Sequence, residues 1–386
     1  MNNKKEKKKG KWKQYLSMMI FLVLGGICGV WIASYMDKMD SAGKSMGEVL
    51  TGAGLLFLGM YAAMILQIIM HEAGHLLFGL LTGYEFSSFR IFSFMWMKVE
   101  GKIKFKRFSL AGTGGQCLMN PPELVDGKIP YVLYNLGGSI VNMILAGIFI
   151  LLHLVSKGIP MLSYWFLMLA LMGGAFALMN GVPMRMGTVD NDGYNALSLG
   201  KNPQALRSFW IQMKANHAQA LGQTLKDMPA EWFVMPSDED MKNSMVAPMG
   251  VFYCNRLMEE HKFVEADAQM KRLLNLDSGI VGLHRSLLVS DRMYCELLDE
   301  CRMDVVNQMY TKEQKQFMKA MGTFLAIIRT EYAYALLGEQ DEKKAKLVKQ
   351  RFEKAAAKYP YSGDLQTERR YVMLIDEKYE QRKVAI

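Results

Sequence analysis

The chain has 386 residues, 51% of them apolar and 22% charged, with a formal net charge of +9. Charge-free runs crowd the first half and charged residues the second, so a membrane part followed by a soluble part is expected rather than one globule. The positive balance does not imply nucleic acid: seven lysines fall between Lys4 and Lys13, directly before an apolar run, where such a cluster meets anionic headgroups.

Five cysteines, Cys28, Cys117, Cys254, Cys295 and Cys301, are odd in number and scattered, with no Cys-x-x-Cys spacing. The pattern speaks against a disulfide framework and against a cysteine zinc site. The 33 methionines serve as flexible packing in core and lipid-facing positions.

In chain order, residues 1–14 form a basic tail. Tyr15 to Met36 is a charge-free run of 22 residues, long enough to cross a hydrocarbon core of about 30 Å. It ends Ser34-Tyr35-Met36-Asp37 rather than in a small-residue cleavage site, so it reads as an uncleaved anchor. A second run starts at Val49 and continues through His71-Glu72 to about Tyr84. That length requires tilt, or a bend near Gly52, Gly54 or Gly59. Two further runs, 129–156 and 158–184, are separated only by Lys157 and predict a tight helical hairpin.

Between the second and third spans, Ser88 to Val99 is aromatic and apolar, Glu100-Gly101 is a turn signal, and Lys102 to Lys106 alternates strictly. A β-hairpin over residues 88–110, apolar on one face and basic on the other and lying at the membrane surface, is expected. Gly112–Gly115 and Pro121-Pro122 are read as breaks in regular structure.

From 194 to 386 the periodicity is helical. Phe252–Asp277, with Lys262–Ala266 between its helices, and Thr330–Pro360 resemble degenerate tetratricopeptide repeats; a plain irregular helical domain is the other reading. The expected fold class is therefore mostly α. It comprises a polytopic bundle of about four spans (residues 15–193), a cytoplasmic β-hairpin insertion and a C-terminal α-helical, repeat-like domain. Lysine and arginine positions put both termini and the loop after Tyr84 in the cytoplasm. The expected location is a bacterial cell membrane.

His71 and His75 are four residues apart and share one helical face. Two imidazoles so spaced can bind one Zn²⁺, and Glu72 can take the proton of a water on that metal as it attacks a carbonyl, then pass it to the leaving amine. Three ionisable groups inside an apolar run are costly unless they face an interior with partners, so a functional site is expected there. A third ligand is needed. The fourth span ends Asn180-Gly181-Val182-Pro183, followed by Asp190-Asn191-Asp192-Gly193.

Here the chain resembles the site-2 protease family of intramembrane zinc metalloproteases. Those proteins pair a membrane-embedded His-Glu-x-x-His with a later Asn-x-x-Pro…Asp-Gly segment. Gly137-Gly138-Ser139-Ile140-Val141-Asn142 is similar to the family's small-Gly-x-x-x-Asn signature, with Ser139 in place of a frequent Pro. The resemblance implies Asp192 as third zinc ligand, with Asp190 as the rival, and puts Asn142 and Asn180 near substrate or oxyanion; Asn142 equally suits a bridge between helices. It covers about Val49 to Gly193 and includes no segment like a PDZ domain.

The function implied is an endopeptidase acting on membrane-spanning proteins or peptides within the bilayer. The hairpin would offer an edge strand to an unwound substrate, and a protein partner would bind the C-terminal helices. The alternatives are an inactive zinc-binding membrane scaffold, which would not need Glu72, and a zinc-binding transporter or accessory protein, which the single His pair fits poorly.

Overall fold

The computed structural model describes residues 2–108, 113–184 and 190–384. The side chains of residues 1–18, 20, 21 and 24 lie outside this description. The side chains of the basic tail and of part of the first expected span fall there, and Ser109, Leu110 and Gly112 of the loop readings lie outside the described residues. The chain divides into two units: residues 1–91 with 114–201, and residues 92–113 with 202–386.

The first unit opens with helix α1 (Asn2–Ser41) and helix α2 (Met46–Leu81). Ser45 starts α2 with a capping box: its hydroxyl accepts from the Glu48 amide, and the Glu48 carboxylate accepts from the Ser45 amide at 3.0 Å. The helix runs unbroken past Gly52, Gly54 and Gly59, and its 36 residues extend about 54 Å. It ends at Thr82, where Gly83 at φ +85° turns the chain out.

Helices α3 (Tyr131–Val155) and α4 (Pro160–Gly181) form the expected hairpin. At its tip the Ser163 hydroxyl lies 2.9 Å from His153 Nδ1, so that histidine joins the two helices. Helices α2, α3 and α4 are each long and apolar enough to cross a membrane. Leu55, Phe57, Leu58, Met143, Ile144 and Leu151 are exposed on them. In water such surface would be unpartnered, whereas lipid satisfies it. The buried stripe of α2 is Leu56, Ala63, Gln67, His71, Glu72, Gly74 and His75.

Strand β1 (Glu85–Ile91) pairs antiparallel with β4 (Gly115–Asn120), and β2 (Phe94–Val99) pairs antiparallel with β3 (Lys102–Arg107). This refines the expected 88–110 hairpin. The hairpin proper is β2–β3, turning at Glu100 (φ 53°) and Gly101 (φ 74°), both in the left-handed region as a two-residue turn requires. Ser88–Ile91 belongs to the other ladder. The glycine-rich break also ends earlier than expected, because Gly115 is already in β4, opposite Ile91. On the hairpin the aromatic face (Phe94, Trp96, Phe105) is exposed, whereas Met95 and Met97 of the opposite face are buried.

The second unit continues with α6 (Pro203–Ala220), after α5 (Asp192–Ser198) has closed the first. Then follow α7 (Ala247–Glu259), α8 (Phe263–Asn275), α9 (Gly282–Leu298), α10 (Met303–Met309), α11 (Lys312–Ala320), α12 (Leu325–Ala333), α13 (Glu342–Ala356) and α14 (Ser362–Val384). Their core holds Leu273, Leu288, Tyr294, Ile328, Phe352 and Ile375. The α7–α8 turn is tighter than the sequence suggested: His261 takes φ 60°, and Phe263–Ala266 already form the first turn of α8.

Candidate metal centre

His71 and His75 sit on the inner face of α2, 7% and 8% exposed. What brings α3 so close to them is the absence of side chains. A Cβ on Gly74 would lie 2.4 Å from the Gly137 carbonyl oxygen, and one on Gly138 would lie 2.5 Å from the His71 ring. The Gly137-Gly138 pair thus packs the α3 backbone against the imidazoles.

Asp192 arrives from the other side. Asn191 caps α5: its Oδ1 accepts from the Tyr194 and Met184 amides, both at 2.9 Å, while its Nδ2 donates to the carbonyls of Met179 and Val182. One side chain therefore ties the end of α4 to the first residue of α5, which is Asp192. Gly193 is needed next, because a Cβ there would meet the Gly181 carbonyl oxygen at 2.1 Å.

Three atoms converge. His71 Nε2 is 3.0 Å from Asp192 Oδ2, His75 Nε2 is 3.4 Å from the same oxygen, and the two Nε2 atoms are 3.2 Å apart. A tetrahedral ion with bonds of about 2.0–2.1 Å separates its ligand atoms by roughly 3.3 Å, so the triangle has the right size.

The far side of each ring fixes its proton. His71 Nδ1 is 2.9 Å from Asn142 Oδ1, and His75 Nδ1 is 2.7 Å from the Tyr134 carbonyl oxygen. The Asn142 orientation is itself determined. Its Nδ2 donates to Gln67 Oε1 at 2.6 Å and to the Gln67 carbonyl oxygen at 3.2 Å, and Gln67 Nε2 donates to the Leu169 carbonyl oxygen at 3.0 Å. Both imidazoles thus donate from Nδ1, which leaves lone pairs on Nε2 when the rings are neutral. Two lone pairs and a carboxylate oxygen facing one point repel unless a cation sits among them, so this donor set suits a divalent metal.

Burial raises the Asp192 pKa, but the facing His71 and His75 side chains outweigh it and hold the carboxyl below the usual carboxylate range. Among the described residues, His71, His75 and Asp192 form the group able to hold a metal; Asp190 is not in it.

Glu72 is buried beside this triad, with its charge felt by both histidines and Asp192. Strand β4 passes directly over it. A Cβ on Gly115 would lie 2.6 Å from Glu72 Cγ, and the Cys117 amide points at the carboxylate. Burial, then the Glu72 charge, push the Cys117 thiol upward, so it remains a thiol. Asn142 is fully buried, its amide committed to His71 and Gln67, and Asn180 donates to the Phe176 carbonyl of its own helix.

Sequence reasoning passed over Gln67, Asn191 and strand β4. Gln67 had a signal: an amide in a charge-free span, four residues before His71. Asn191 had one too, as an Asn directly before a short helix.

The family model described as Peptidase family M50 matches residues 59–352. No curated protein and no solved structure matches the chain.

Proposed function

The chain belongs to peptidase family M50, the site-2 protease family of intramembrane metalloproteases, and from that premise we propose that it is a zinc endopeptidase cutting membrane-spanning proteins or peptides within the bilayer. The observation that carries this reading is the convergence of two Nε2 lone pairs and one carboxylate oxygen beside a buried glutamate.

In this reading His71, His75 and Asp192 hold the ion. Zinc, when bound, supplies Lewis acidity toward a carbonyl and makes a water acidic near neutral pH. Glu72 accepts the proton of the attacking water and delivers it to the leaving amine. Asn142 and Gln67 keep the His71 ring oriented and its Nε2 deprotonated, and the Tyr134 carbonyl does so for His75. Asn180, on the last turn of α4, is given the substrate or oxyanion role that the family resemblance implies. Burial excludes bulk water, which strengthens each of these interactions.

A peptide bond in a helix is shielded by its own hydrogen bonds, so the substrate must be extended at the cut. Among the described residues, β4 pairs with β1 along one edge and with no strand along the other. We assign that edge, rather than the β2–β3 hairpin, to the substrate segment, because β4 begins against Glu72. The bilayer arrangement proposed is four spans, α1 supplying the first, with both termini in the cytoplasm of a bacterial cell. The domain limits proposed are 1–14, 15–193 and 194–386, the last binding a protein partner or the substrate's tail.

The test compares wild type with Glu72→Gln on a co-expressed membrane peptide, with zinc measured in both proteins. Retained zinc with cleavage reduced about 10²–10⁴-fold is expected; equal processing by the two proteins overturns the reading.

A further inference from the structure

One residue of α3 holds a histidine of the metal centre with its backbone and the strand over Glu72 with its side chain. The Tyr134 carbonyl oxygen accepts from His75 Nδ1 at 2.7 Å, and the Tyr134 hydroxyl donates to the Cys117 carbonyl oxygen at 2.9 Å. Cys117 lies within β4, opposite Phe89 of β1, and its amide points at the Glu72 carboxylate. In an antiparallel strand the N–H and C=O of one residue face the same edge. Cys117 therefore turns both groups away from β1, one held by Glu72 and the other by Tyr134.

The Tyr134 ring has little freedom. It is buried, with the Tyr84 ring stacked on it at 4.7 Å and 10° and the His75 ring 5.8 Å away, tilted by 53°. Gly79 of α2 makes the room: a Cβ there would lie 3.2 Å from Tyr134 Cδ2 and 2.3 Å from Sδ of Met119, two residues on from Cys117 in β4. All of these residues belong to the first unit. The two stacked tyrosines differ in one respect. The buried Tyr84 hydroxyl has no hydrogen-bond partner among the described residues, whereas the Tyr134 hydroxyl is committed to β4. That bond is itself buried, so its loss leaves the Cys117 carbonyl unpaired, which is costly.

We propose that Tyr134 is a positioning residue for the protease reaction: its hydroxyl fixes β4 at Cys117, and the Cys117 amide in turn fixes the Glu72 carboxylate. One residue thus registers the base against His75, which its own carbonyl orients. A substrate segment paired along the same edge lies beside this grip, at the level of the base. The proposal rests on the protease reading above. Loss of the hydroxyl lets β4 drift from Glu72, which misaligns base and bound substrate and leaves the metal ligands in place.

The experiment uses the full chain in detergent with a membrane peptide as substrate. Tyr134→Phe, Tyr84→Phe and Met119→Ala are compared with wild type for kcat, KM, zinc content and amide exchange of peptides covering Gly115–Asn120 and Tyr131–Val155. Tyr134→Phe keeps the ring and the backbone carbonyl. Its kcat is expected to fall about tenfold with KM and zinc near wild type, and exchange of Gly115–Asn120 to quicken about tenfold with α3 unchanged. Tyr84→Phe removes the unpartnered hydroxyl of the same stack and should match wild type in every readout. Met119→Ala loosens β4 on Gly79 without touching the hydroxyl bond and should lower kcat in the same direction. Unchanged kcat or unchanged exchange of Gly115–Asn120 in Tyr134→Phe overturns the proposal, as does an equal effect of Tyr84→Phe. If Tyr134→Phe does not fold, Met119→Ala decides: faster exchange of Gly115–Asn120 with kcat unchanged overturns the link from β4 to Glu72. A wild type without Glu72-dependent cleavage overturns the protease reading instead, and the exchange measurement still decides whether the Tyr134 hydroxyl holds β4.

Discussion

Two of the buried polar clusters among the described residues meet their charge in opposite ways. In the helical domain Arg329 is 1% exposed; its guanidinium contacts the Asp291 carboxylate, and its Nε is 3.2 Å from Glu368 Oε2. The rings of Tyr294 and Tyr371 lie 4.2 and 5.1 Å from its guanidinium carbon. That cluster carries its own cation. Around Asp192 the charged partners are His71 and His75, and with neutral rings the inward-facing atoms are acceptors. A buried cluster with an internal guanidinium brings its own counter-charge, whereas one built of converging acceptors suits an ion from outside. The contrast marks the His71, His75 and Asp192 cluster as the candidate functional one without reference to position in the chain.

The sharpest way to break this comparison is to change a ligand. Asp192→Asn keeps the shape and removes the anion. Zinc content measured by mass spectrometry should fall to near zero, and cleavage should drop by about 10³-fold or more, since several kcal/mol of charge stabilisation are lost. Full zinc occupancy in Asp192→Asn would remove the reason for grouping Asp192 with the histidines.

Arg329→Met makes the complementary cut. It leaves Asp291 and Glu368 buried without their cation and should destabilise the helical domain by about 3–5 kcal/mol in urea. Zinc bound per folded chain should be unchanged, because no metal ligand is touched. Parallel loss of zinc would show that the two clusters are not independent.

Behind His71 the expected effect is smaller. Asn142→Leu or Gln67→Leu breaks the path Leu169–Gln67–Asn142–His71 and should weaken zinc binding about 10–100-fold, as read by chelator competition. Gln67→Glu sharpens the point: it keeps the acceptor toward Asn142 but lacks the amide donor to Leu169, so it should fall between wild type and Gln67→Leu.

How much of this was legible in the sequence differs between the clusters. His71, Glu72 and His75 stand out because ionisable groups are rare in apolar runs, and helical spacing alone puts both imidazoles on one face. Asp192 was reached by resemblance, as the aspartate that precedes Gly, with Asp190 left as its rival; in the structure Asn191 caps α5 at Asp192 and so places it against the histidines. The spans for α2, α3 and α4 follow from length and hydropathy. The β1–β4 ladder was hidden because its partners lie far apart in sequence and Gly114-Gly115 imitates a loop signal. Arg329 and Glu368 were not read together: Arg329 lies on the largely apolar α12 and Glu368 on the charge-rich α14, and only tertiary packing pairs them.

The last prediction turns on that concealed pair and is the gentlest. Burial pushes the Glu368 carboxyl up to about 8; Arg329 pulls it back only in part, and the neighbouring Asp364 and Asp291 push the same way. Burial raises Asp364 as well, against the hydrogen bond it accepts from Tyr359. A carboxyl raised in the folded state binds its proton more tightly there than in the unfolded chain. Between about pH 4.5 and 8 the folded state thus holds more protons, and stability falls as pH rises. Below that window both states are protonated and no penalty exists; above it the penalty is fully present. Pulse proteolysis across urea should show the helical domain less stable at pH 9 than at pH 5, by on the order of a few kcal/mol at most. Glu368→Gln, neutral at every pH, should flatten this slope and be more stable than wild type at pH 9. A wild-type slope of the opposite sign would mean that Arg329 keeps Glu368 ionised, and the two clusters would then differ less than their geometry implies.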